Sequence, residues 1–411
     1  IVGLAIGILI MRPTLTMPAL TKFVDGTGPV WTGNLFPFLF ITIACGAVSG
    51  FHALISSGTT PKMLANESQA CFIGYGGMLM ESFVAIMALV AACIIDPGVY
   101  FAMNSPMAVL APAGTTDVVA SAAQVVSGWG FSITPDTLHQ IASEVGEQSI
   151  ISRAGGAPTL AVGMAYILHG SLGGLMDVSF WYHFAILFEA LFILTAVDAG
   201  TRAARFMLQD LLGVISPGLK KTSSLPANLL ATALCVLAWG YFLHQGVVDP
   251  LGGINTLWPL FGIANQMLAG MALMLCAVVL FKMKRQRYAW VALLPTSWLL
   301  ICTLTAGWQK SFSPDTKVGF LAIANKFQAM IDSGNIPPQY TESQLAQLVF
   351  NNRLDAGLTI FFMIVVVVLA LFSIKTALAA LKEDKPTAKE TPYEPMPENL
   401  DAIETQAKGA H

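Results

Sequence analysis

Long apolar runs alternate with short polar stretches along most of the chain. Each run is close to the roughly 20 residues that an α-helix needs to cross a lipid bilayer. Because a helix satisfies its own backbone hydrogen bonds in lipid, each run predicts a transmembrane helix. The predicted spans are residues 35–55, 72–95, 180–200, 228–246, 256–281, 289–307 and 356–374.

The segments outside these spans differ in character. Residues 1–11 resemble the end of another membrane helix, so we expect an N-terminal half of the same protein to precede this chain. Residues 96–175 predict an external segment in which the apolar stretch 157–175 forms a re-entrant or surface helix. Residues 317–331 predict a short amphipathic helix in the outer loop 308–353.

The C-terminal stretch, residues 382–411, is rich in proline and charge and poor in large apolar side chains. Such a composition cannot bury enough apolar surface to offset the entropy of folding. The transporter domain is therefore predicted over residues 12–381, followed by a disordered tail.

Composition supports a membrane protein. Hydrophobic residues make up 55% of the 411 residues and charged ones 11%, whereas soluble domains carry roughly a quarter charged residues. The net charge of −3 gives no reason to expect a nucleic-acid partner. The six cysteines have no metal-ligand spacing, so we predict no metal site and no cofactor.

Basic residues predict the orientation in a bacterial inner membrane. They cluster at 201–221, at 282–287 and in the tail from Lys375 onward, whereas the loop 247–255 has none. By the positive-inside rule, the three basic regions lie in the cytoplasm, and so does the C-terminus.

Residues 44–62 combine an apolar helix with Gly46, Gly50, Gly58 and Pro61. These residues favour a broken helix, whose freed backbone groups form substrate sites in secondary transporters. The alternative is that Gly46 and Gly50 form a small-residue face for helix packing.

Hydroxyls follow directly in this stretch. We predict an unwound turn at residues 55–60, where hydroxyls and free amides would receive a substrate carboxylate. The predicted substrate-binding residues there are Ser56, Ser57, Gly58, Thr59 and Thr60.

Ionisable residues inside apolar runs are the candidates for proton coupling. His52 has a side chain whose pKa lies near physiological pH, although a structural hydrogen bond is an equal alternative. Glu81 and Glu189 are the predicted proton-carrying carboxylates, and for Glu81 the alternative is a protonated group joining two helices. A helical stripe is expected to turn Glu81 toward the bundle; it comprises Gly74, Gly77, Ala85, Ala88 and Ala92.

Three further groups of polar residues are candidates for a substrate contact or for a structural role. Arg153 opens a glycine-rich turn and is a candidate receptor for a substrate carboxylate, or else marks a hinge. Asp198 and Arg202 have the i,i+4 spacing of a helical ion pair. The pair Asn265–Gln266 favours an interhelical hydrogen-bond clamp over a substrate contact.

Four runs resemble the carbon starvation protein A family: residues 33–64, 152–163, 198–213 and 258–269. The tail at 385–399 resembles that of enteric members. The resemblance implies peptide uptake during carbon starvation, with pyruvate uptake also attributed to members of the family. It also implies an all-α polytopic bundle like helices six to twelve of the LeuT-like five-plus-five inverted-repeat fold.

The function that the resemblance implies is a proton-coupled peptide transporter, with a pyruvate–proton symporter as the alternative. An intramembrane hydrolase is disfavoured because no GxSxG or His-Glu-x-x-His pattern is present, and we predict no catalytic residue. A membrane nutrient sensor is a distant alternative, since the tail is too short and polar for a signalling domain. The predicted partners are a small-molecule substrate, protons, membrane lipid and the missing N-terminal half.

Overall fold

The computed structural model describes residues 1–30, 32–43, 46, 48–112, 115–222, 224–248, 253–337 and 340–388. Over these ranges the secondary structure is helical, without strands, which confirms the predicted all-α class. In chain order the helices are α1 (Val2–Met11), α2 (Leu35–Thr42), α3 (Gly50–Gly58), α4 (Thr60–Met63), α5 (Gln69–Cys93), α6 (Pro97–Asn104), α7 (Met107–Leu110), α8 (Val118–Gly128), α9 (Pro135–Val145), α10 (Gly156–Ser171), α11 (Val178–Ile215), α12 (Leu225–Val248), α13 (Gly253–Lys282), α14 (Trp290–Phe312), α15 (Phe320–Asp332) and α16 (Glu342–Lys382).

Among the described residues, six helices are long and apolar enough to cross a membrane. They are α5, α11, α12, the part of α13 from Leu260 to Lys282, α14 and α16. Their assignment as membrane spans stays the prediction made from the sequence.

Several helices extend beyond the predicted apolar runs. α11 continues to Ile215, so Arg202 and Arg205 lie on a helix and not in a loop. α16 begins at Glu342 behind a capping box formed by Thr341 and Gln344, so the predicted outer loop ends earlier than expected. The reason is that arginine, lysine, glutamine and glutamate favour helix almost as well as leucine does, so the end of the apolar run does not end the helix.

The chain divides into two compact units, each described by itself. Unit 1 comprises Ile1–Leu35 and Leu79–Val197, and unit 2 comprises Phe36–Met78 and the chain from Asp198 onward.

In unit 1, α10 is a buried helix that packs on α5 and on α1. A Cβ added at Gly163 of α10 would overlap the carbonyl oxygen of Ala91 in α5. A Cβ at Gly7 of α1 would lie 3.0 Å from Ser171 Oγ and 3.2 Å from Ile167 Cγ2. Glycine at these positions therefore allows the backbones to approach closely.

The predicted external segment 96–175 contains five helices, α6 to α10, where the sequence predicted one. Two of its acidic residues cap helices: Asp96 Oδ1 accepts from Gly98 N at 2.8 Å, and Asp117 Oδ1 accepts from Val119 N at 3.1 Å. Such caps satisfy amide groups that a helix start leaves unpaired. Asp96 and Asp117 thus serve as caps at the starts of two helices.

In unit 2, α14 packs against α16 with Gly307 facing Thr359 and Met363. Lys310 of α14 is 6% exposed, and its Nζ lies 5.3 Å from the ring centre of Phe38 and 5.8 Å from that of Phe320. The amphipathic helix predicted at 317–331 is α15, which places Phe327 against apolar residues of α16.

The predicted tail begins in contact with the bundle. Thr387 N donates to Lys282 O at 3.0 Å, and Lys284 Nζ donates to Ala380 O at 2.7 Å. Residues 389–411 lie outside the described residues, so disorder there stays a prediction.

Candidate substrate site at a broken helix

The helix predicted at 35–55 is broken into α2 and α3. α2 ends at Thr42, and α3 begins at Gly50 behind Ser49, whose Oγ accepts from His52 N at 3.3 Å. In the break between Thr42 and Gly50, Ile43, Val48 and Ser49 are not helical and Gly46 is helical, and residues 44, 45 and 47 lie outside the described residues.

The predicted unwound turn at 55–60 is wrong. α3 runs to Gly58, α4 starts at Thr60, and Thr59 alone separates them, with φ −115° and ψ −51°. Pro61 does not interrupt the helix, because it lies in the first turn of α4, where a missing amide hydrogen costs little.

Three of the predicted hydroxyls bond back to the helix itself. Ser56 Oγ and Ser57 Oγ donate to Ala53 O at 3.0 and 2.8 Å, and Thr60 Oγ1 donates to Ile55 O at 3.2 Å. Such bonds are typical of hydroxyl residues inside helices. Thr59 is different, because it is buried and its Oγ1 has no partner among the described residues.

Gly58 faces α11. A Cβ added there would lie 3.8 Å from Ala203 Cβ, an ordinary contact distance. We expect Gly58→Ala to transport at close to the wild-type rate, measured as initial uptake, whereas Gly58→Leu should lose most activity because its longer side chain meets α11. Equal loss in both variants would contradict the role of space at this position.

Both sides of the break rest on α13 through two glycines. A Cβ at Gly262 would lie 2.6 Å from Ile41 Cγ2 at the end of α2. A Cβ at Gly50 would overlap the carbonyl oxygen of Asn265 and lie 2.5 Å from Leu268 Cβ. α2 and α3 therefore contact α13 backbone to backbone.

Two neighbouring amides of α13 bond to opposite sides of the break. Asn265 Oδ1 accepts from Phe51 N in the first turn of α3 at 2.9 Å. Gln266 Nε2 donates to the carbonyl oxygen of Phe40 in α2. The interhelical clamp predicted for this pair is thus present, and it holds two helix ends.

The candidate proton carriers lie in different surroundings. His52 is exposed in unit 2, with its ring 6.0 Å from that of Phe51. Glu81 is exposed and Glu189 half-buried, both in unit 1. Their roles in coupling stay predictions.

The small-residue stripe on α5 has open space at its N-terminal members among the described residues. A Cβ added at Gly74 or Gly77 would meet no heavy atom within 4 Å, and Ala85 is exposed like Glu81. Ala88 and Ala92, further along the same stripe, are half-buried, and the direction in which Glu81 faces stays a prediction. The tightly packed residue of α5 is Ala91.

Arg153 already has a carboxylate partner. Its Nη2 lies 2.8 Å from Glu147 Oε2, and the amide of Gly155 donates to Asn104 Oδ1 at 3.3 Å. The predicted receptor for a substrate carboxylate is thus neutralised within unit 1. Its role in binding stays a prediction.

The predicted ion pair of Asp198 and Arg202 is present, with Nη2 2.9 Å from Oδ2. A second pair joins α4 to α11: Lys62 Nζ lies 3.7 Å from Asp210 Oδ2 and 4.3 Å from the ring centre of Phe206. The positive charge of Lys62 is therefore held by α11.

Buried polar residues near these helices were not singled out from the sequence. Gln209 is 1% exposed and donates through Nε2 to Asn228 Oδ1 at 2.7 Å, and Lys310 is buried under two rings. Lys310 lies in the predicted outer loop 308–353 and Gln209 in the basic stretch 201–221, so neither stood inside an apolar run, where a polar residue would have been a signal.

The family model described as carbon starvation protein CstA matches residues 1–306. The chain belongs to this family. Peptide transporter CstA of Escherichia coli (strain K12) is 94% identical over 411 residues, which are 100% of this chain and 59% of that protein.

Other members extend the comparison. The pyruvate/proton symporter BtsT of Escherichia coli (strain K12) is 58% identical over 416 residues, covering 97% of this chain and 58% of that protein. Peptide transporter CstA of Helicobacter pylori (strain J99) is 51% identical over 395 residues, covering 95% of this chain and 57% of that protein. The chain thus spans a little under three fifths of the length of these relatives. No solved structure matches it.

The apolar helices and these relatives together identify the chain as an integral membrane protein.

Proposed function

We propose that the chain is the larger part of a bacterial inner-membrane secondary transporter that imports peptides during carbon starvation, driven by protons. The observation that carries this proposal is the 94% identity, over the whole chain, to a protein named peptide transporter CstA. The broken helix α2–α3 supports it, because interrupted helices supply binding groups at membrane depth in secondary transporters.

Pyruvate–proton symport is the second candidate. It is supported by the 58% identity to a relative named pyruvate/proton symporter BtsT. A peptide and pyruvate share a carboxylate, so one site could receive either.

For the fold we propose the second half of a LeuT-like inverted repeat. α2–α4 would be the broken sixth helix, and α5, α11, α12 and α13 the seventh to tenth, with α14 and α16 peripheral. An N-terminal half would supply the partner broken helix. The substrate would then lie beside the end of α2 and the start of α3, and not at the hydroxyl turn predicted from the sequence.

Uptake in proteoliposomes tests the proposal. We expect the intact transporter to accumulate labelled dialanine when the outside is acidic and to stop when a protonophore collapses the gradient. Pyruvate in the same assay separates the two candidates. Absence of uptake for both substrates would contradict the proposed function.

Proton coupling is tested with Glu81→Gln and Glu189→Gln, which keep shape but remove a titratable proton. We expect at least one variant to lose accumulation against a gradient while keeping substrate exchange, because exchange needs no net proton movement. Asp117→Asn, at a helix cap in unit 1, is the control and should accumulate substrate normally. Full proton-driven accumulation in both glutamate variants would rule out this assignment.

Orientation is tested with Lys221→Cys and Val247→Cys, which lie before and at the end of α12. In a background without the exposed Cys71 and Cys276, an impermeant thiol reagent should label Val247→Cys from the periplasm and Lys221→Cys only from the cytoplasm. Labelling of both from one side would overturn the topology.

A further inference from the structure

Asn265 and Gln266 each use only one half of a buried side-chain amide. Both side chains are 3% exposed. Asn265 Nδ2 and Gln266 Oε1 have no hydrogen-bond partner in the part of the chain that the structure describes. A buried polar atom without a partner loses its hydration and gains nothing in exchange, so native proteins rarely keep one without a reason.

The chemical identity of the two free atoms is fixed by the backbone. Phe51 N can only donate, so the atom of Asn265 that it meets must be the oxygen. Phe40 O can only accept, so the atom of Gln266 that it meets must be the nitrogen. The free atoms are therefore a donor on Asn265 and an acceptor on Gln266.

The free atoms also lie at the break. In each amide the oxygen and nitrogen share one carbon, which places them about 2.2 Å apart. The donor of Asn265 is therefore next to the start of α3, and the acceptor of Gln266 is next to the end of α2. The two atoms belong to consecutive residues of α13, one bonded through its amide to the start of α3 and the other to the end of α2.

A ligand that satisfies both atoms must offer an acceptor and a donor. The peptide unit does so, with its carbonyl oxygen and its amide hydrogen. Pyruvate offers oxygen acceptors alone, so it would leave Gln266 Oε1 unsatisfied.

We propose that Asn265 and Gln266 bind the peptide unit of the substrate, with Asn265 Nδ2 donating to its carbonyl oxygen and Gln266 Oε1 accepting from its N–H. This inference rests on the proposed transport function and assigns the substrate class to the break in the helix. A buried water bonded to the same two atoms is the competing occupant.

The test compares two ligands, first on the wild-type transporter and then on variants of Asn265 and Gln266. Dialanine is compared with its ester analogue alanyl-lactate, which keeps the carbonyl and lacks the amide hydrogen. The wild-type transporter should bind dialanine roughly tenfold more tightly, the effect of one buried hydrogen bond, measured by competition against labelled dialanine uptake.

Two variants then separate the two contacts. Gln266→Met should bind dialanine and the ester equally, because the acceptor is gone. Asn265→Leu should weaken both ligands and keep their ratio, because both carry the carbonyl. The ratio of the affinities for dialanine and for the ester is compared within one variant. Any loss of folding, or of the clamp on α2 and α3, affects both ligands equally and leaves this ratio unchanged.

Gln209→Met is the matched control. Gln209 is also buried, also bonded through Nε2 and also has an unpartnered Oε1, but its partner is Asn228 on α12. This variant should keep the preference for dialanine.

Equal binding of dialanine and the ester by the wild type, or a preference that survives Gln266→Met, would overturn the inference and leave water as the occupant. The wild-type comparison decides the matter even if Gln266→Met does not fold. A wild type that transports no peptide would instead contradict the proposed function.

Discussion

Replacing Gly50 by alanine is expected to abolish transport. The added Cβ would overlap the carbonyl oxygen of Asn265 and crowd Leu268 and the amide of Ala269. Because these atoms are backbone or lie on a packed helix, α3 has to move off α13, at a cost of about 3 kcal/mol, the upper part of the range for overpacking. The hydrogen bond between Phe51 N and Asn265 Oδ1 would be lost with it.

Initial dialanine uptake per molecule of inserted transporter is the measurement. Gly270→Ala is the control, since it lies on the same helix α13 and an added Cβ there would meet nothing within 4 Å. This variant should transport normally and gain about 0.5–1 kcal/mol from better helix propensity. Normal uptake by Gly50→Ala would show that α3 does not rest on α13.

Replacing Gly163 by alanine is expected to destabilise unit 1 by about 3 kcal/mol. The new Cβ would overlap the carbonyl oxygen of Ala91 and lie 2.6 Å from its carbonyl carbon, so α10 could no longer contact α5. The apparent melting temperature of the detergent-solubilised protein should fall, and the folded yield should fall with it.

Gly77→Ala serves as the opposite case, because it is a helical glycine of α5 with open space around it. Its melting temperature should stay level or rise, since alanine restricts the unfolded chain and favours helix. A lower melting temperature in Gly77→Ala than in Gly163→Ala would contradict the packing described for α5 and α10.

Hydropathy alone predicted the helical class and the approximate position of the long helices. An apolar run marks the part of a helix that suits lipid, but it does not mark where the helix ends. α11 and α16 therefore extend past their apolar runs, to Ile215 and from Glu342. Within 96–175, the capping residues Asp96 and Asp117 mark helix starts that hydropathy does not register.

The break in the helix was expected in the right region and assigned to the wrong residues. Ser56 and Ser57 suggested an unwound turn, yet hydroxyls also bond within a helix, and local sequence does not distinguish the two. The two helix ends at the break are instead held by residues more than 200 positions away. Asn265 accepts from Phe51 N, and Gln266 donates to Phe40 O. Such long-range pairing depends on the fold and cannot be read from a local pattern.

The stripe on α5 shows a second limit of sequence patterns. Small residues spaced by threes and fours permit close packing but do not show that a partner helix is present. Gly74 and Gly77 have open space around them, whereas Gly163, in a run read as a surface helix, makes close contact. The spacing alone does not separate these cases.

The pairing of Lys62 with α11 has a mechanical consequence. Lys62 and Asp210 lie 3.7 Å apart with side chains 40% and 58% exposed, and an exposed pair of this kind contributes at most about 1 kcal/mol. The contact of Lys62 with the ring of Phe206 contributes about as much. Together the two contacts favour the state in which α4 touches α11 over the separated state by a factor of roughly 30. Substrate binding commonly supplies coupling energy of that size. We therefore expect the α4 end to separate from α11 more readily than α3 separates from α13 at Gly50.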